Sequence, residues 1–366
     1  MGALTLASHQ HGRARTVAKT TPKVFLDANI VIGAGKPPGG PEIARVIDLV
    51  DAGLVTVLTT DLTITEVSKK HVQNDFDAIK EISQPHFREI VKGATGVALP
   101  NVKRPELRLK LKASYDASTA KMFKSLKAKT LAIDDVKPSV VFDAYAAGEG
   151  FFSGDGKKDQ FPDAFAFECI KQEASKKEPV IIVSNDGDFI GPAQSAKHIS
   201  LVKSLPELFA ALGLEMKVPE IDEFVEKHND DLIKRVDRQL NNWGLNSDDV
   251  MDAEIDEITV NSVEVRKLAA FKPIHKADSI LVVCKLDVQA LVSYSHPNWD
   301  EAMYDSEDKV LIPFDNVSGE TEVELTVDVS MSISVDDNDE PVAIKDLSLR
   351  NSDFQYVTLY PPEHYK

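Results

Sequence analysis

The chain has 366 residues, beyond the roughly 250–300 at which a single hydrophobic core stops growing, so two domains are expected. Its 43% hydrophobic and 28% charged residues are those of an ordinary globular protein, and no apolar run reaches the ~20 residues that span a bilayer. Two distant cysteines, Cys169 and Cys284, exclude a disulfide framework and a zinc cluster, and point to reduced thiols in a cytoplasmic setting. The formal charge of −17 is unevenly spread, with +3 on residues 1–213 and −20 on residues 214–366. That asymmetry suggests two units with different work and disfavours nucleic-acid binding by the second.

Residues 1–22 hold Arg13, Arg15 and Lys19 without an acid or an apolar stretch, which reads as a flexible leader. Val24-Phe25-Leu26-Asp27-Ala28-Asn29-Ile30-Val31-Ile32 then sets an acid and an amide between two apolar runs, ahead of a Gly/Pro-rich turn at residues 33–40. The first run reads as a buried strand with Asp27 at its carboxyl end, where open α/β sheets place their ligands. Pro41 opens a helix whose Ile43, Val46, Ile47 and Val50 form an inward stripe, and Gly53 ends it. The β-branched run 54–59 makes a second strand, so strand, helix and strand form a βαβ unit and begin a parallel sheet. A helix with Asp61 at its N-cap follows, and Glu66 lies just over one turn in.

Residues 85–150 lack further alternation and read as a helical insertion. Between Lys103 and Lys129 nine basic residues face two acids, with Tyr115 and Phe123 interleaved. A solvated helix face is one explanation. A phosphate-contacting surface built from Arg108, Lys112, Lys121, Lys124 and Lys127, with the two aromatics free to stack on bases, is the other. A glycine-bearing loop then leads into a helix with Pro162 and Asp163 in its first turn. Val180–Val183 is a continuous apolar strand followed by Ser184-Asn185-Asp186-Gly187-Asp188, which repeats the placement of Asp27. A strand at 199–202 and a helix at 205–212 close the unit.

From about residue 214 the pattern changes. A helical link over 214–250 precedes alternating runs such as Glu322-Val323-Glu324-Leu325-Thr326-Val327-Asp328-Val329, with one apolar and one acidic face. These predict an acidic, β-rich antiparallel domain over 251–366, separating from the first near 214–220.

Carboxylates gathered at one sheet edge repel, and a cation relieves them. Asp and Glu without His or Cys are hard oxygen donors suited to Mg²⁺ or Mn²⁺, ions that can activate water toward a phosphodiester. Taken in order, Leu26-Asp27-Ala28-Asn29-Ile30-Val31, Thr65-Glu66-Val67, Phe161-Pro162-Asp163-Ala164 and Val183-Ser184-Asn185-Asp186-Gly187-Asp188-Phe189 resemble the signature of the PIN-domain nucleases, over residues 23–213. The resemblance implies a parallel sheet with helices on both faces and metal-dependent cleavage of RNA. It implies a metal site of Asp27, Glu66, Asp163 and Asp186, with Asp188 supporting or replacing Asp186. Asn29 matches the polar residue that often follows the first acid. Asp155 and Asp159 are rivals for the third position. The chain departs from short PIN toxins in its insertion and its acidic extension, and looks more like larger bacterial PIN-like proteins. A catalytically weak PIN-like binding or regulatory module is the alternative, and a DNA nuclease the weaker enzyme reading. The acidic domain could also engage a regulatory protein partner.

Overall fold

Apolar β-branched runs form the strands at the centre of the first unit. The computed structural model describes residues 21–154, 157–216, 219–243, 245–275, 279–305, 310–338, 340–350 and 355–360. The expected leader lies almost wholly outside them. Strands β1 (Lys23–Leu26), β2 (Thr56–Thr60), β3 (Lys129–Leu131), β4 (Val180–Val183) and β5 (Ile199–Val202) form a parallel sheet in the order β3-β2-β1-β4-β5. Helices α1 (Ala28–Gly33), α2 (Pro41–Asp51), α3 (Asp61–Ile79), α4 (Pro85–Thr95), α5 (Arg104–Ser125), α6 (Pro138–Ala147), α7 (Phe161–Glu173), α8 (Ile190–Ser195) and α9 (Leu205–Ala211) connect and cover it. One apolar cluster joins Val24 and Leu26 to α2, α9 and Met122 of α5, and another joins Phe25 and Ile182 to α7. The sheet is thus buried on both faces, as parallel sheets are.

The second apolar run, Ile30 to Ile32, forms the short helix α1, whose first turn the Asp27 carboxylate caps. Two local readings change. The cap of α3 is Thr60, whose hydroxyl accepts from the Thr63 N–H, so Asp61 is its first helical residue. The helical insertion also contains β3, an edge strand of three residues with only Leu131 buried, too short and polar to show an alternating pattern.

After β6 (Glu215–Met216) come α10 (Pro219–Lys227), α11 (Asn229–Trp243), β7 (Leu245–Ser247), β8 (Glu254–Phe271), β9 (Ile280–Pro297), β10 (Met303–Asp305), β11 (Val310–Ile312), β12 (Asn316–Val335), β13 (Pro341–Leu349) and β14 (Gln355–Val357). An antiparallel sheet runs β13-β12-β9-β8-β6. The 20 residues of β12 extend it for about 65 Å. The helices expected as a link cover this sheet: Ile221, Phe224 and Val225 of α10, and Leu232, Val236 and Leu240 of α11, are buried against its apolar face.

The two units share packing. Phe271, Leu281 and Val283 at one end of β8 and β9 belong to the cluster around α2 and α9, and Phe209 meets Phe271 edge to face at 5.4 Å. Buried Arg45 of α2 donates to the carbonyls of Phe271, Lys272 and Ser279. Buried Glu42 accepts from Arg350 Nε at 2.9 Å. No described helix is long and apolar enough to cross a membrane, and Cys169 and Cys284 are buried and unbridged.

Candidate active site

The carboxyl edge of the parallel sheet receives four of the five predicted acids directly from strand ends or first helical turns. Asp27 follows β1, and its backbone N–H extends the ladder to the Val183 carbonyl at 3.1 Å. Its side chain is only 9% exposed. One carboxylate oxygen accepts from the Ala28 N–H at 2.7 Å and the other from the Ser184 hydroxyl at 2.6 Å. Ser184 Oγ in turn accepts from the Asp186 N–H at 3.1 Å and from Asn29 Nδ2 at 3.5 Å. One hydroxyl therefore ties the acid after β1 to the acidic loop after β4. Asp186 accepts from the Asp188 N–H at 2.8 Å, which fixes the tight turn over Gly187–Phe189.

Asp163 lies in the first turn of α7, and Glu66 lies on α3, which rises from the end of β2. Burial, and then repulsion from Asp27, Glu66, Asp186 and Asp188, pushes the Asp163 carboxyl up to about 7. Burial raises Asp27 to about 6 against its two hydrogen bonds, with Glu66 and Asp186 adding to the rise. Glu66 is raised by burial while nearby Lys69 opposes it. Asp163 feels the charge of the other four acids and Asp27 that of Glu66 and Asp186, so the fold brings the five into one neighbourhood. Of the rivals for the third position, Asp159 is exposed and Asp155 lies outside the described residues.

Carboxylate oxygens alone, with no His or Cys, make a donor set that suits a hard divalent cation, and the raised Asp163 marks a field that such a charge would relieve. Among the described residues no three His, Cys, Asp or Glu side chains stand close enough together to hold a metal ion.

Sequence reasoning passed over two partners of this site. Ser184 reads as a turn residue, and only its place between two acids could have flagged it. Lys157 donates to both oxygens of Asp188, at 2.7 and 2.9 Å. Its loop position leaves no periodic signal.

The basic stretch divides between two ends of α5. The helix runs antiparallel to the strands, so its first turns lie toward the carboxyl edge and its last turns return to the amino edge. Arg108 and Lys112 stand on the first half, where with Lys69 they border a cavity against α3. Exposed Lys121 and Lys124 stand on the last turns, and Lys127 follows them. Lys127 pairs with Asp51 at the end of α2, and Lys129 with Glu173 at the end of α7, each at 2.7 Å. The aromatics are not available for stacking on bases. Tyr115 is buried and donates to Asp75, and Phe123 is core, because the apolar stripe of α5 must face the sheet.

No curated protein and no solved structure matched the chain. The family model described as PIN domain matches residues 24–189, from the second residue of β1 to the turn after Asp188. This span contains all five acids and most of the parallel sheet, and the PIN fold is a nuclease-type fold. Residues 24–189 form a PIN domain, and an additional C-terminal region follows it.

Proposed function

We propose that this protein is a metal-dependent endoribonuclease whose centre is Asp27, Glu66, Asp163 and Asp186, with Asp188 in support. The observation that carries this reading is the arrival of acids from four separate segments at one sheet edge, close enough that their charges help raise Asp27 and Asp163. Bound there, Mg²⁺ or Mn²⁺ would activate water and stabilise the leaving oxygen, giving 5′-phosphate and 3′-hydroxyl ends. The chain's own part is to position the oxygens. The Ala28 N–H and Ser184 hydroxyl hold Asp27 in one orientation, and the turn at Gly187 holds Asp186 beside it. Arg108, Lys112 and Lys69 supply phosphate contacts on the same side of the sheet. Two separate free cysteines support a cytoplasmic setting.

A second reading, a binding or regulatory module with weak catalysis, draws support from Lys157, whose ammonium already neutralises Asp188. Incubating purified protein with structured RNA, single-stranded DNA and duplex DNA, with Mn²⁺, Mg²⁺ or EDTA, separates the two. Metal-dependent cleavage of RNA that is lost in Asp27→Asn supports the enzyme. Undiminished cleavage by Asp27→Asn/Asp186→Asn would sink the site assignment.

A further inference from the structure

The C-terminal region, acidic as a whole, sends one cation to the carboxyl edge of the parallel sheet. Arg350 follows β13, and its backbone N–H donates to the Asp328 carbonyl of β12 at 2.9 Å. Its own carbonyl lies against Gly33 of α1, where an added Cβ would approach it to 3.3 Å. That contact sets the arginine beside the helix that starts directly after Asp27. Buried Glu42 accepts from its Nε at 2.9 Å. Nη1 and Nη2 donate to nothing among the described residues, yet neither is buried. A buried carboxylate thus fixes one edge of the guanidinium and leaves the other edge open, an arrangement that suits bidentate recognition of phosphate.

Arg350 lines a crevice of about 190 Å³ together with Asn29, Asn185 and Lys203. Asn29 stands two residues after Asp27, and Asn185 directly precedes Asp186, so the crevice adjoins the acids. Lys203, the first residue after β5, is exposed and pairs with no carboxylate among the described residues. Two carboxylates also line the crevice. Arg350 matches Glu42, and Lys285 matches Asp328 at 3.4 Å, which leaves Lys203 as the uncompensated charge. The volume is below the ~300–1,000 Å³ of sites for whole small molecules, so it suits a charged group carried by a larger ligand. Lys69, Arg108 and Lys112 flank the acids beyond β2, whereas this crevice flanks them on the side of β4 and β5.

We infer that this crevice holds one backbone phosphate of the substrate, flanking the scissile bond, between Lys203 of the first unit and Arg350 of the C-terminal region. The Nη edge of Arg350 binds two of its oxygens, and Lys203 supplies the balancing charge. The inference rests on the nuclease reading and adds to it that the C-terminal region forms part of the substrate site.

The test is binding, read by fluorescence anisotropy of a labelled oligouridine on the full-length Asp27→Asn protein, with EDTA to suppress cleavage. Lys203→Ala, at an exposed position, should weaken binding about five-fold in about 0.1 M salt and flatten its dependence on log salt by ~0.7. Arg350→Lys keeps a charge beside Glu42 but removes the fork, and should weaken binding at an unchanged melting temperature. A scan that replaces one phosphate at a time by an uncharged methylphosphonate should find a single position whose penalty shrinks in both variants, because each change removes the same contact. If Arg350→Lys does not fold, Asn185→Asp, at an exposed position on the crevice, takes its place in the scan. Parent-like binding by Lys203→Ala, different positions for the two variants, or no oligouridine binding by the parent would overturn the subsite. Cleavage by the wild-type protein in Mn²⁺ decides the nuclease reading separately: cleavage without a shared phosphate position keeps the acids and removes the crevice.

Discussion

The two sheets carry acids to opposite effect. In the parallel sheet every strand runs one way, so chain ends and helix starts collect at one edge. Buried Asp27 and half-buried Asp163 and Asp186 gather there, and the crowding helps raise Asp27 and Asp163. In the antiparallel sheet Glu320, Glu322 and Glu324 alternate with half-buried and buried residues along β12, each exposed to water. The second region carries a net −20 against +3 on the first, yet the first holds the strained acids. Topology, more than charge count, decides where carboxylates are crowded together.

That contrast can be broken most forcefully at the junction. Arg350→Ala leaves Glu42, 2% exposed, as a buried charge without its guanidinium, and should cost about 3–5 kcal/mol in urea denaturation. A loss below about 1 kcal/mol would mean that the Glu42–Arg350 pair adds little to the coupling of the regions.

Next in size comes the strain itself. With a folded pKa of about 7 against 3.8, Asp163 keeps a proton that the unfolded chain has lost, so stability falls as pH rises between those values. Asp163→Asn should therefore stabilise metal-free protein above pH 7, on the order of 1–2 kcal/mol after discounting partial exposure. The gain should shrink as pH falls toward 3.8 and vanish below it. Glu322→Gln on the open sheet should stay within about 0.5 kcal/mol at every pH. Thermal melts across pH compare the two.

A third test divides the basic helix. Arg108→Glu/Lys112→Glu should weaken RNA binding and flatten its dependence on log salt by ~0.7 per lost contact. Lys121→Glu/Lys124→Glu, on turns that lead to the amino edge, should change it less. Equal slopes would mean that the strand wraps the whole helix. Smallest of all, Lys127→Ala breaks only a surface pair with Asp51 and should cost about 0–1 kcal/mol in urea denaturation.

Much of this was legible in the residues. Apolar runs such as Val180–Val183 have few alternatives to a buried strand, and an acid directly after such a run falls at the sheet edge by necessity. Alternation along Glu322–Val329 likewise admits one reading. What the residues did not show depends on distant partners. β3 exists because β2 offers an edge, not because Lys129-Thr130-Leu131 prefers strand. Ser184 and Lys157 matter only through Asp27 and Asp188, which no local pattern connects to them. Tyr115 and Phe123 looked exposed among lysines, yet helical periodicity turns both inward.

The most direct measurement is a calorimetric titration of Mn²⁺ into the metal-free protein, repeated on Asp163→Asn and on Glu322→Gln. Binding should be lost in the first variant and retained in the second, with proton release near neutral pH as the raised carboxyl at the sheet edge ionises. A titration unchanged by Asp163→Asn would contradict the assignment of the cation site to the carboxyl edge of the parallel sheet.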